Sequence, residues 1–225
     1  MIRRQIAAAA LAATALAAAA LLAAPAAAQQ QPAFAELSPP LPTDAKDRIE
    51  VVEFFWYECP HCYALEPYLD GWIKRLPKDV EFRRVPATFN ERWNLSARVY
   101  YALESMGLID KLHRPLMDAI HRDRLRITDE RQLTDWLQRQ GVDVAKFSAT
   151  LKSFAVEGRL KRAQALVQGS KIDGVPALMI NGQYIVGAGN SGTEERMLAI
   201  ADSLIERVRK GAPPPAPAAA PAKKK

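Results

Sequence analysis

The chain has 225 residues, 49% of them hydrophobic, with two cysteines and a formal charge of +6. That length suits one domain, or one domain carrying a large insertion. The basicity sits at the ends: removing Arg3 and Arg4 leaves +4, setting aside Lys223, Lys224 and Lys225 leaves +1, and nothing argues for nucleic acid as a partner.

Residues 1–28 read as a cleaved secretory signal. Met1-Ile2-Arg3-Arg4 is a basic start, Gln5 to Ala24 is uncharged and alanine-rich, and Ala26-Ala27-Ala28 offers the small residues that a signal peptidase accepts. The rival reading is an uncleaved anchor, since the run approaches the length needed to span a bilayer. Alanine is only weakly apolar, and the flanks suit a signal. No later segment is long and apolar enough to cross a membrane. Export, expected to be to the periplasm, places the chain where thiols can be oxidised and stay so.

Residues 29–45, Q-Q-Q-P followed by S-P-P-L-P, are expected to form an irregular lead-in. Ile49 to Trp56 is β-branched, aromatic and nearly continuous in apolarity, which predicts a strand covered on both faces. After the cysteines, Y-A-L-E-P-Y-L-D-G-W-I-K-R-L has helical spacing, with Pro60 in the first turn, where a missing N–H costs nothing. Pro67 falls inside that helix and is expected to kink it. A second strand, Val80 to Pro86, follows a turn at Pro77-Lys78-Asp79.

Asn90 to about Gly169 has helical periodicity and little strand character. Y-Y-A-L-E-S-M-G-L ends a helix at a glycine, and T-D-E-R-Q-L-T-D-W-L opens one with a threonine cap followed by acids. V-P-A-L-M-I-N-G-Q-Y-I-V-G then reads as two short strands joined by Asn181-Gly182, the strongest two-residue hairpin signal. An amphipathic helix from Glu194 to Lys210 closes the body. The tail 211–225 has five prolines, three lysines and no large apolar residue, so it cannot build a core. The order is that of a small α/β sheet, residues 46–89 and 168–210, interrupted by a helical insertion at 90–167.

Cys59 and Cys62 are separated only by Pro60 and His61. As a structural staple the pair would close a four-residue loop worth about 1.9 kcal/mol, against about 3 for fifteen residues. A chain this size does not need that increment. A structural zinc site commonly wants a second such pair. The remaining candidates, His113 and His121, are expected to be surface or helix-face residues. Haem attachment fails because Tyr63 stands where C-x-x-C-H needs histidine. A redox dithiol remains. At a strand end and a helix N-terminus, Cys59 faces unpaired N–H groups and the positive end of the helix dipole. His61, when protonated, adds positive charge. Cys59 should therefore have a lowered pKa, while Cys62, one turn in and more buried, should not. A stabilised thiolate favours the reduced form, so the disulfide is oxidising.

C-P-H-C after an apolar E-F-F strand, a helical insertion, and G-V-P-A-L-M-I-N-G-Q-Y together resemble the DsbA family of periplasmic thiol:disulfide oxidoreductases. The resemblance spans about Ile49 to Lys210 and implies a thioredoxin-like fold with a central mixed sheet. It implies that Cys59 is the exposed nucleophilic sulfur and Cys62 its buried partner, with Pro60 and His61 tuning the bond. Pro176 would be a cis-proline facing the cysteines, and Val175 would present its backbone to an extended substrate. Glu53 matches an acidic position beneath the site, with Arg84 as a candidate charge partner. No cofactor beyond the Cys59–Cys62 disulfide is implied. The implied partners are reduced exported proteins and a DsbB-like, quinone-linked membrane oxidase, with the protein a monomer. The rivals are a reductase or isomerase, for which no dimerisation domain is visible before Ile49, and a peptide-binding holdase using the apolar surface around Trp56, Tyr57 and Val175.

Overall fold

The computed structural model describes residues 33–211. The expected signal at 1–28 and the tail from 212 onward lie outside them. In chain order the elements are β1 (Ala35–Glu36), β2 (Ile49–Phe55), α1 (Pro60–Lys74), β3 (Val80–Pro86), α2 (Glu91–Ser105), α3 (Ile109–His121), α4 (Glu130–Arg139), α5 (Val144–Leu151) and α6 (Phe154–Ser170). They continue with β4 (Ala177–Ile180), β5 (Tyr184–Gly187), α7 (Ala188–Ser191) and α8 (Glu194–Arg209). The sheet order is β1-β5-β4-β2-β3. β3 runs parallel to β2, whereas β4 is antiparallel to both β2 and β5. The sheet is therefore mixed and the fold thioredoxin-like.

β2 reads as continuously apolar because both of its faces are covered. Val51 packs with Leu65, Leu69 and Trp72 of α1 and with Met197, Leu198, Ala201, Leu204 and Ile205 of α8. Val52 and Phe54, on the opposite face, join the core of the helical layer. β4 divides likewise, Leu178 and Ile180 going to one core and Ala177 and Met179 to the other, as the two-residue period of a strand requires. In the helical layer α2 packs against α3, α5 and α6.

Most starts are capped by a short polar side chain. The side chains of Asn90, Asp143 and Ser153 accept backbone N–H groups at the starts of α2, α5 and α6. α4 is capped by Asp129, not by Thr128 as expected, the Asp129 carboxylate accepting the Gln132 N–H at 3.1 Å. A carboxylate in that position also answers the helix dipole.

The lead-in is less irregular than its proline content suggests. Residues 35–36 pair antiparallel with β5, supplying partners to an edge that would otherwise be bare. The Leu41 N–H then donates to the carbonyl of Gly182 at 2.8 Å. Asn181 and Gly182 both have positive φ, 51° and 64°, as the hairpin signal requires. The connection nevertheless spans three residues, since Ile180 pairs with Tyr184.

Candidate active site

β2 ends at Phe55, and the chain turns over Trp56-Tyr57-Glu58 to place Cys59 at the N-cap of α1 with Pro60 in its first turn. The Cys59 N–H donates back to the Trp56 carbonyl at 3.0 Å. Its sulfur accepts the Cys62 N–H at 3.4 Å. Both cysteines are free thiols. Cys59 proves less open than the expected exposed sulfur: 6% of it is accessible, against none of Cys62. The covering group is the loop before β4, where the Val175–Pro176 peptide is cis and the Val175 carbonyl lies 3.5 Å from the Cys59 sulfur.

The two thiols are driven apart electrostatically. The Cys59 thiol is brought down to about 6, first by its hydrogen bond with the Cys62 thiol, against its own burial. The backbone N–H groups of Cys62 and His61 and the charge of His61 add to the lowering. Burial pushes the Cys62 thiol well above its ordinary value, and the nearby Cys59 raises it further. Such a pair holds its charge on the outer sulfur.

Beneath the pair lies a buried polar network of which only part was anticipated. Glu53 is fully buried, not solvated, with Arg84 Nε 3.0 Å from its Oε2. That contact lacks hydrogen-bond geometry, and neither Glu53 oxygen has a hydrogen-bond partner among the described residues. Burial pushes Glu53 up to about 8, although Arg84 opposes the rise. Arg84 also donates from Nη2 to both oxygens of Glu66, at 3.2 and 3.1 Å. Burial acts to raise Glu66, but the hydrogen bond from His113, with the charges of Arg84 and Arg114, outweighs it and holds the carboxyl low.

His113 is no surface residue; it is 6% exposed and completes the network. Its Nε2 lies 3.1 Å from Glu66 Oε1 and its Nδ1 3.2 Å from the Tyr57 hydroxyl. Burial lowers the pKa of His113, and burial raises that of Tyr57. The consistent assignment is a neutral imidazole that donates to Glu66 from Nε2 and accepts from the Tyr57 hydroxyl at Nδ1. His121, also on α3, reaches the Tyr57 carbonyl. The sequence held a signal for this network. Glu66 lies four residues after Cys62, between Leu65 and Leu69, so a carboxylate sits on the buried face of α1 and demands a cation.

Pro60 and His61 stand exposed at the mouth. On one flank His61, Leu65, Val175, Pro176 and Met197 line a cavity of about 330 Å³. On the other, Trp56 stacks on Trp93 at 4.3 Å, and Arg92 lies over Trp56 while pairing with Glu58 at 2.8 Å. Among the described residues no group of histidine, cysteine, aspartate or glutamate side chains is arranged to hold a metal ion.

A thioredoxin-like fold with a C-x-x-C pair at the start of its first long helix, facing a cis-proline loop, defines a dithiol–disulfide oxidoreductase. Comparison with known proteins narrows the class. Residues 80–198 match the model of the DSBA-like thioredoxin domain. The thiol:disulfide interchange protein DsbA of Pseudomonas aeruginosa is 41% identical over 179 residues, covering 80% of this chain and 85% of that protein. Its namesake in Bordetella pertussis is 38% identical over 184 residues, covering 81% and 88%. The crystal structure of the Pseudomonas aeruginosa DsbA superposes with a TM-score of 0.76 at 40% identity, covering 80% of this chain and 94% of that one. The oxidoreductase DsbA from Xylella fastidiosa gives 0.74 at 32% identity, covering 79% and 95%. The chain belongs to the DsbA family of thiol:disulfide oxidoreductases.

Proposed function

We propose that the chain donates a Cys59–Cys62 disulfide to reduced proteins after export. A substrate thiolate attacks the Cys59 sulfur, the Cys59–Cys62 bond breaks, and Cys62 leaves and takes up a proton. A second substrate cysteine, as thiolate, attacks the mixed disulfide and expels Cys59 as its thiolate. The substrate thereby loses two electrons and two protons, and the protein is left reduced. The observation that carries this reading is the opposed ionisation of the two sulfurs, Cys59 lowered to about 6 and Cys62 raised. A good leaving thiolate at Cys59 makes the donating disulfide unstable relative to its reduced form.

The other assignments follow from position. Pro60 and His61 tune the bond, and Glu53 governs charge beneath it. The backbone of Val175 and the ring of Pro176 receive the extended substrate beside Cys59. The two-part sheet and its helical insertion divide near residues 90 and 167. The protein works as a monomer in the periplasm, exported by residues 1–28, and is re-oxidised by a DsbB-like quinone-linked membrane protein. Among the described residues no helix is long and apolar enough to cross a membrane. The test is oxidative refolding of a reduced substrate with Cys59→Ser and Cys62→Ser. Each should abolish turnover, since neither variant can form the Cys59–Cys62 disulfide that is donated. Unchanged refolding by Cys59→Ser would refute the reading.

A further inference from the structure

One side chain of the helical layer touches the active-site turn at both ends. His121 is the last residue of α3. Its Nε2 lies 2.8 Å from the carbonyl oxygen of Tyr57. A carbonyl only accepts, so Nε2 carries the proton and donates. The same ring lies nearly flat on Tyr63, with centroids 4.5 Å apart and planes 13° apart. Tyr57 stands two residues before Cys59, and Tyr63 directly follows Cys62.

Tyr63 is itself held. Its hydroxyl donates to Asp118 Oδ1 at 2.7 Å, and the guanidinium groups of Arg114 and Arg122 lie 5.2 and 5.9 Å from its ring centroid. Both arginines also reach Asp118, at 3.5 and 3.6 Å. The Tyr63 side of the contact is therefore fixed to α3 independently of His121. Among the described residues the Tyr57 carbonyl accepts from His121 alone, while the neighbouring Trp56 carbonyl takes the Cys59 N–H.

We propose that His121 is a positioning residue for disulfide exchange, holding the turn so that the N–H groups facing the Cys59 sulfur stay aimed at it. Donors fixed before ionisation stabilise the new charge without reorganising, and donors on a loosened turn do not. The proposal rests on Cys59 being the exchanging thiol. It concerns the geometry of the thiolate, whereas loss of a merely structural contact would lower the stability of both redox forms alike.

Three variants of the full chain separate donor from ring. His121→Phe keeps an aromatic ring against Tyr63 without a donor, His121→Gln keeps a donor without the ring, and His121→Ala removes both. The readouts are thiolate absorbance against pH and redox equilibrium against glutathione. His121→Phe should raise the Cys59 pKa by about half to one unit and make the disulfide about three- to ten-fold harder to reduce, the scale of one lost hydrogen bond. His121→Gln should return most of the way to the parent. Parent-like titration and equilibrium in His121→Phe, with melting lowered equally in both redox forms, would overturn the proposal. If His121→Phe does not fold, His121→Gln decides: parent-like titration supports the donor, and a shift as large as that of His121→Ala refutes it. Because the titration needs no substrate, its outcome is separate from that of Cys59→Ser in refolding.

Discussion

The sulfur of Cys59 lies 3.5 Å from the carbonyl oxygen of Val175, a residue 116 positions later in the chain. A thiol can donate to that oxygen and a thiolate cannot. Ionisation of Cys59 therefore breaks the contact and frees a backbone acceptor beside the sulfur. It also strengthens the bond the sulfur accepts from the Cys62 N–H. The reduced, ionised site is thus held from the α1 side alone, and the Val175 carbonyl is left without that donor.

Titration of the reduced protein by thiolate absorbance should show one step near 6, from Cys59, with Cys62 silent until well above 9. The Cys59 pKa is lower folded than unfolded, where it is near 9.0. Its contribution to stability is therefore complete above about 9 and is lost as pH falls through about 6. The oxidised protein has no thiol to titrate. Denaturation midpoints of the two forms should accordingly converge on acidification from pH 9 to 5. A gap independent of pH would show that the thiolate is not stabilised by folding.

Glu53 gives the opposite slope. Its folded pKa, about 8, lies above the ordinary 4.5, so the stability it contributes is complete below about 4.5 and is lost as pH rises through 8. Glu53→Gln keeps the shape of the protonated acid and cannot ionise. Its stability gain over the parent should grow between pH 5 and 8, reaching about 1–3 kcal/mol. Parallel stability curves for the two proteins would mean that Glu53 is ionised throughout.

Arg84 is the cation for two buried carboxyl groups, reaching Glu53 at 3.0 Å and Glu66 at 3.1 Å. Arg84→Met should cost about 3–5 kcal/mol at pH 7, because Glu66 stays charged, loses its direct cation and keeps only the neutral His113 imidazole in hydrogen-bond contact. The loss should shrink at pH 5, where protonation becomes cheaper, and shrink again in combination with Glu53→Gln. Urea denaturation of the single and double variants measures this coupling. Additive losses would separate the two carboxyl groups energetically.

The parts of the molecule legible in the sequence are those whose signal is local. β2 declared itself by an apolar run, the hairpin by Asn181-Gly182, and the place of the cysteine pair at a helix start by the apolar strand before it and the helical spacing after it. The network was illegible because its members find one another across the fold. His113 meets Tyr57 and Glu66 from 56 and 47 residues away, and His121 meets Tyr57 from 64. His113 does lie on the apolar stripe of α3, four residues from both Ile109 and Met117, but the stripe does not name its partners. β1 was hidden for the same reason, since two residues carry no period and their pairing answers a need of β5.

The lead-in offers the last test, because it separates stability from chemistry. A Cβ placed on Gly182 would sit 2.0 Å from the Leu41 carbonyl oxygen, and the residue has φ +64°. Gly182→Ala must therefore accept left-handed strain and also displace the segment that docks there, costing roughly 2–4 kcal/mol. The lead-in should become sensitive to protease ahead of the rest of the chain. The hairpin turn and Pro176 lie at opposite ends of β4, whose four residues span about 13 Å. The Cys59 titration should accordingly keep its step near 6 while the melting temperature falls. A shift of that step in Gly182→Ala would show that the docked lead-in reaches the active site through β4, and that the sheet, not α1 alone, sets the ionisation of Cys59.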